Sequence, residues 1–80
     1  MAARRTIKGI QGVLARNVKK YRKRTKLSQE TLSRRCGLHH SYVGRLERSG
    51  GNPELSTIKR LADRLGVTVV DLLTARKRKS

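Results

Sequence analysis

The chain has 80 residues, enough for one small domain with a modest core. Lys and Arg number 21 against 5 Asp and Glu, a net charge of +16; a polyanion relieves that self-repulsion, so nucleic acid is the first partner to consider and an anionic membrane surface the second. The composition argues against a membrane span, for which roughly 18 apolar residues in a row are needed, against an intrachain disulfide, since Cys36 is alone, and against catalysis by paired carboxylates, the acids being so few.

Both ends are basic: Met1-Ala2-Ala3-Arg4-Arg5 and Arg76-Lys77-Arg78-Lys79. Residues 1–8 read as a loose arm. Ile10, Leu14, Val18 and Tyr21 then recur at helical spacing, with Arg16, Lys19, Lys20, Lys23 and Arg24 between them on the solvent face. Gly12 lies inside the pattern, so the spacing predicts a first helix over about 11–25. Ser28 is a good N-cap for a second helix, Glu30 suits its positive end, and Thr31 stands where a capping box wants Glu. Leu27, Thr31, Leu32 and Cys36 share its face, and Gly37 ends it after about eight residues. Cys36 is read as a small core residue.

A third helix is predicted from His39 to Arg48, with Val43 and Leu46 inward and Leu38 just before the start. Ser49-Gly50-Gly51-Asn52-Pro53 is a loop. A fourth helix follows, with Leu55, Ile58, Leu61, Ala62 and Leu65 as its apolar stripe and Gly66 as its stop. Thr68-Val69-Val70-Asp71 reads as a capping box that opens a fifth, short helix through about Leu73. No alternating pattern suggests a strand. The expectation is an all-α unit over 10–74, with basic arms over 1–9 and 75–80 taken as flexible. Its core must be aliphatic, because Phe and Trp are absent and Tyr21 and Tyr42 are the only aromatics.

Two short helices joined by a tight glycine turn have helix-turn-helix spacing. The second of such a pair can enter a major groove about 12 Å wide. Residues 27–67 carry the pattern L-S-Q-E-x-L-x-x-x-x-G-L-x-x-S-Y-V-x-x-L-E-R-x-x-x-N-P-x-L-x-T-I-x-x-L-A-D-x-L-G-V. On these residues the chain resembles the Cro/repressor-type (XRE) helix-turn-helix family, over residues 14–73. Tyr42-Val43-Gly44, Glu47-Arg48 and Asn52-Pro53 also resemble the short controller proteins of restriction-modification systems, although small phage and plasmid repressors share them.

The resemblance implies a compact five-helix, lambda-repressor-like fold and a role in transcription regulation, most simply as a repressor or autoregulator. It assigns base-edge contacts to His39, His40, Ser41 and Arg45. Arg45 is suited to bidentate pairing with guanine; His39 and His40 are unusual readers, and His39 also reads as an imperfect helix cap. The resemblance assigns backbone contacts to Gln29, Tyr42, Arg48, Ser49 and Asn52, with Gln29 also bracing the recognition helix. Lys59 and Arg60 are further candidates for a flanking phosphate. Arg22 and Glu47 match a structural ion pair of the family. The implied assembly is a homodimer on a near-palindromic operator of double-stranded DNA in the cytoplasm, half-sites roughly 34 Å apart, with Val70 and Leu73 as the candidate dimer surface.

No metal or cofactor is expected. Adjacent histidines diverge on a helix, and no Cys or acidic residue stands at ligand spacing from them. RNA polymerase contact fits an operator placed upstream. Two rival readings remain at this stage: an antitoxin of the same fold that also holds a toxin, and a non-specific basic nucleic-acid binder.

Overall fold

The structure, a computed structural model, describes residues 2–75, with side chains from residue 9 onward. The basic tail assigned to 75–80, from residue 76 onward, and the side chains of Arg4 and Arg5 lie outside the described residues. Five helices follow in order: α1 (Ala2–Thr25), α2 (Gln29–Arg35), α3 (Tyr42–Ser49), α4 (Leu55–Leu65) and α5 (Val69–Leu73). No strand occurs among the described residues.

Helix α1 is the backbone of the assembly. Its 24 residues span about 36 Å, close to the 38 Å long axis of the molecule. Leu14, Ala15 and Val18 are buried on its inner face, which packs against α3, α4 and α5. The helix begins well before residue 11, so residues 2–9 are helical rather than a loose arm. Gly9 and Gly12 do not stop it: glycine inside a helix costs only about 1 kcal/mol each. Ile10, read as part of the buried stripe, is 54% exposed.

The end of α1 carries Arg22, Lys23 and Arg24 at the negative pole of its dipole. Lys26 then turns the chain with a left-handed φ of 60°. Helix α2 starts where Ser28 Oγ accepts the Thr31 N–H at 3.0 Å. It ends in a Schellman motif: Gly37, with φ of 72°, donates its N–H to the Arg34 carbonyl at 3.0 Å, and Leu38 donates to the Ser33 carbonyl at 2.9 Å.

That turn displaces the start of α3. Leu38 is drawn against the core, Tyr42 N–H closes a turn on the His39 carbonyl at 2.9 Å, and Arg45 N–H bonds the Ser41 carbonyl at 3.1 Å. The helix therefore begins at Tyr42, not His39, and Ser41 is its N-cap. Ser41 makes no side-chain cap bond. The cap comes from α2: the fully buried Ser33 donates its hydroxyl to the Gln29 carbonyl at 2.8 Å and accepts the Val43 N–H at 3.0 Å. One side chain thus ties the two helices of the motif together at their crossing.

Gly50 ends α3 with φ of 80°. A Cβ there would sit 2.8 Å from both the Gln11 carbonyl oxygen and the Gln11 Cβ, so glycine permits the loop to lie directly on α1. In α4, Ile58, Leu61, Ala62 and Leu65 are buried as the stripe predicts, but Leu55 is 68% exposed. The capping box of α5 forms in full: Thr68 Oγ1 accepts the Asp71 N–H and the Asp71 carboxylate accepts the Thr68 N–H. Leu72 seals the core. At the other end of α5, the buried Asn17 of α1 directs its amide Nδ2 at the carbonyls of Asp71, Leu72 and Thr74, 2.8–3.2 Å away. The C-terminal carbonyls of α5 are thereby satisfied from another helix.

Candidate nucleic-acid interface

The predicted base readers occupy two different pieces of backbone. Arg45 lies on the first full turn of α3 and is exposed. His39 and His40 precede the helix, in the strand of chain that leads from the turn to the N-cap. They do not diverge as neighbours on a helix would: their rings stack, with centroids 4.4 Å apart and planes 30° from parallel. His39 Nδ1 accepts the Ser41 N–H at 3.2 Å and lies 2.8 Å from Ser41 Oγ. His39 therefore orders the approach to α3. Among the described residues no group of three or more metal-ligating side chains forms.

Beside this edge, Tyr42, Arg45, Arg48, Ser49 and Asn52, together with Leu46 and Gly51, line one cleft of about 490 Å³. Ser49 donates its hydroxyl to the Arg45 carbonyl at 3.0 Å. Burial, and then the carboxylate of Glu54, push the Tyr42 hydroxyl above its ordinary pKa, so at neutral pH it is a neutral donor. Neither Arg45 nor Arg48 forms an ion pair among the described residues. Their charges face outward uncompensated.

Four of the five acids are engaged in ways that leave that edge positive; the exception is Glu54, which is exposed and close enough to Tyr42 to raise its hydroxyl pKa. Glu30 pairs with Arg34 and Asp63 with Lys59, each at helical i,i+4 spacing. Asp71 caps α5, and the two hydrogen bonds from Thr68 hold its carboxyl below the usual range. Glu47 sits on α3 itself, yet its side chain is only 3% exposed. It accepts from Arg22 Nε at 2.6 Å, from Arg22 Nη2 at 3.1 Å and from Gln29 Nε2 at 2.9 Å. Arg22 also donates from Nη1 to the Leu27 carbonyl at 2.9 Å. One carboxylate thus clasps α1, α2 and α3 and fixes the recognition helix against its scaffold.

Gln29 is the hinge of the clasp. Its amide nitrogen keeps a second N–H free of Glu47, while its Oε1 lies 3.0 Å from where a Cβ on Gly44 would stand. Gly44 gives Gln29 the room to cross onto α3. Lys59 and Arg60, candidates for a flanking phosphate, are both exposed and have partners within the chain: Lys59 is paired with Asp63, and Arg60 Nη1 donates to the Cys36 carbonyl at 3.1 Å. Cys36 is buried, and that burial, only partly offset by Arg64 and Arg60, pushes its thiol up.

On α5, Val70 is 70% exposed while Leu73 is half-buried. They stand one helical turn apart on the side of the molecule anchored by Asn17. Neither Ser33 nor Asn17 was identified from the sequence. Asn17 carried a signal, being a polar residue one turn after Leu14 on the apolar face of α1. Ser33 carried a weaker one, sitting beside Leu32 on a helix of few residues.

A helix-turn-helix family profile matches residues 18–72. This chain belongs to the XRE-type helix-turn-helix family. It is a DNA-binding regulator of that family, and its relatives in sequence include transcription regulators and controller proteins. It is 46% identical over 65 residues to the control protein C.SmaI of Serratia marcescens, covering 81% of this chain and 77% of that one. Its fold is similar to the crystal structure of a hypothetical transcription factor from Neisseria, with a TM-score of 0.79 and 41% identity over 82% of this chain and 76% of that one. It is also similar to the restriction-modification controller protein C.AhdI from Aeromonas hydrophila, with a TM-score of 0.71 and 35% identity over 78% of this chain and 90% of that one. Among the described residues, no helix is long and apolar enough to cross a membrane.

Proposed function

We propose that this chain is a sequence-specific transcriptional regulator that binds its operator as a homodimer in the cytoplasm. Helix α3 enters the major groove, where His39, His40, Ser41 and Arg45 meet base edges. Gln29, Tyr42, Arg48, Ser49 and Asn52 hold the flanking phosphates, which position the protein without reading sequence. Val70 and Leu73 of α5 supply the dimer face. One observation carries the reading: the only acid on α3 is buried and neutralised beneath it, while Arg45 and Arg48 project from the same helix with their charges unpaired. The likeness to C.SmaI and C.AhdI favours a controller of a restriction-modification system, acting by binding upstream of a gene and excluding or contacting polymerase there.

Selection of bound sites from random DNA tests this directly. The proposal expects enrichment of a near-palindrome with half-sites one helical turn apart. Retention of unrelated sequences at equal affinity would instead assign the protein to charge-driven, non-specific binding. Salt dependence alone does not separate the two, because phosphate contacts make both steep.

A further inference from the structure

We propose that the contact between His39 and Ser41 fixes the hydrogen-bonding polarity of the reading edge: His39 offers a base only a donor, and Ser41 offers only an acceptor. The inference rests on the reading of this edge as the one that meets bases, and it specifies what chemistry that edge selects.

The argument starts from the one group in the contact whose role is not adjustable. A backbone N–H can only donate. The Ser41 N–H points at His39 Nδ1 from 3.2 Å, so Nδ1 must present a lone pair. A neutral imidazole with a bare Nδ1 carries its hydrogen on Nε2. Ser41 Oγ lies 2.8 Å from the same Nδ1 and so faces that lone pair too; its favourable orientation points its single hydrogen inward. The outward lone pairs of Ser41 remain as acceptors, and the outward Nε2–H of His39 remains as a donor. The stacked ring of His40 holds the plane of His39, and both histidines are exposed.

A lone outward donor discriminates. In the major groove, guanine presents acceptors at N7 and O6, adenine at N7 and thymine at O4, whereas cytosine presents a donor. The base that faces His39 is therefore any but cytosine. The Ser41 oxygen favours the opposite partner, an amino group of cytosine or adenine. His39 is thus a determinant of specificity although it stands outside the recognition helix.

Two measurements test this on the full chain. Imidazole nitrogen NMR shifts of the free protein at neutral pH should show an unprotonated Nδ1 and a protonated Nε2 on His39; the opposite tautomer would overturn the proposal whatever the protein binds. The second measurement uses a selected operator in which single acceptors are removed: CH for purine N7, or hydrogen for guanine O6 or thymine O4. For the wild type, one such replacement should weaken binding about tenfold. The same replacement should have no effect on H39N, since asparagine keeps a short acceptor for the Ser41 N–H but lacks the reach of Nε2. If every acceptor replacement that weakens the wild type weakens H39N as much, or if no acceptor matters, the donor role is refuted; losses at acceptors read by Arg45 alone should be the same in both proteins. Failure to distinguish operator from random DNA would refute the DNA-reading proposal itself, while the NMR result would still decide the tautomer.

Discussion

Replacing Ser33 with alanine isolates the bond between the two helices of the motif. The hydroxyl is fully buried, and so is Val43, whose N–H it accepts. Removal of the hydroxyl leaves that N–H among apolar neighbours with no replacement partner. The Gln29 carbonyl loses an extra donor as well, but it also belongs to the α2 ladder. The cost is therefore set by the N–H: a buried donor left unsatisfied is worth about 1–3 kcal/mol. A domain of this size has only about 4–12 kcal/mol in total. A loss of about 2 kcal/mol would lower the melting temperature by roughly 8–16 °C. Thermal and urea unfolding followed by circular dichroism give the number, with S56A on the exposed face of α4 as a control expected within about 0.5 kcal/mol of wild type. A change for S33A no larger than the control's would refute the claim that Ser33 caps α3.

Four other outcomes follow from the same geometry. R22A strands the Glu47 carboxylate beneath the recognition helix and should cost roughly 3–5 kcal/mol in urea unfolding; a loss near zero would mean the clasp does not bear on stability. K26G relieves a left-handed φ that a side chain disfavours and should stabilise the fold by about 1 kcal/mol, read as a higher urea midpoint. Asp71 has a depressed carboxyl, so its contribution is present above its ordinary pKa of 3.8 and is lost as pH falls through the lower folded value; amide exchange in α5 should rise there, and D71N should abolish that dependence. R45A should weaken DNA binding without altering the melting temperature, since Arg45 is exposed and unpaired.

The legible parts of this fold are those governed by neighbours in sequence. Ser28, Gly37, Gly66 and the Thr68–Asp71 box all stand where local capping rules place them, because a cap needs only residues two to four positions away. The two misplaced boundaries have local causes that compete. In α1, glycines suggested a late start, but nothing between Ala2 and Gly9 breaks a helix. In α3, residues 39–41, assigned to the first helical turn, instead carry the chain from the Schellman turn at Gly37 and Leu38 to the N-cap. Ile10 and Leu55 show that an apolar residue at helical spacing is buried only where another element reaches it.

The site divides the same way. The family pattern located the positions of the Arg22–Glu47 pair and of the reading edge, but not what completes them. That Gln29 joins the clasp, that Ser33 caps a neighbouring helix and that Asn17 holds α5 all depend on residues brought together from distant parts of the chain or across a helix crossing. No local pattern encodes the stacked pair of histidines, because it forms only once those residues leave the helix predicted for them.

The central claim is that α3 reads sequence rather than merely carrying charge. It is tested most directly by titrating wild type and R45A against a selected operator and against random DNA at one fixed salt concentration. The account predicts that R45A loses about 1–3 kcal/mol on the operator and much less on random DNA, so that the ratio of the two affinities collapses. Equal losses on both DNAs would contradict it, leaving Arg45 as one more phosphate contact.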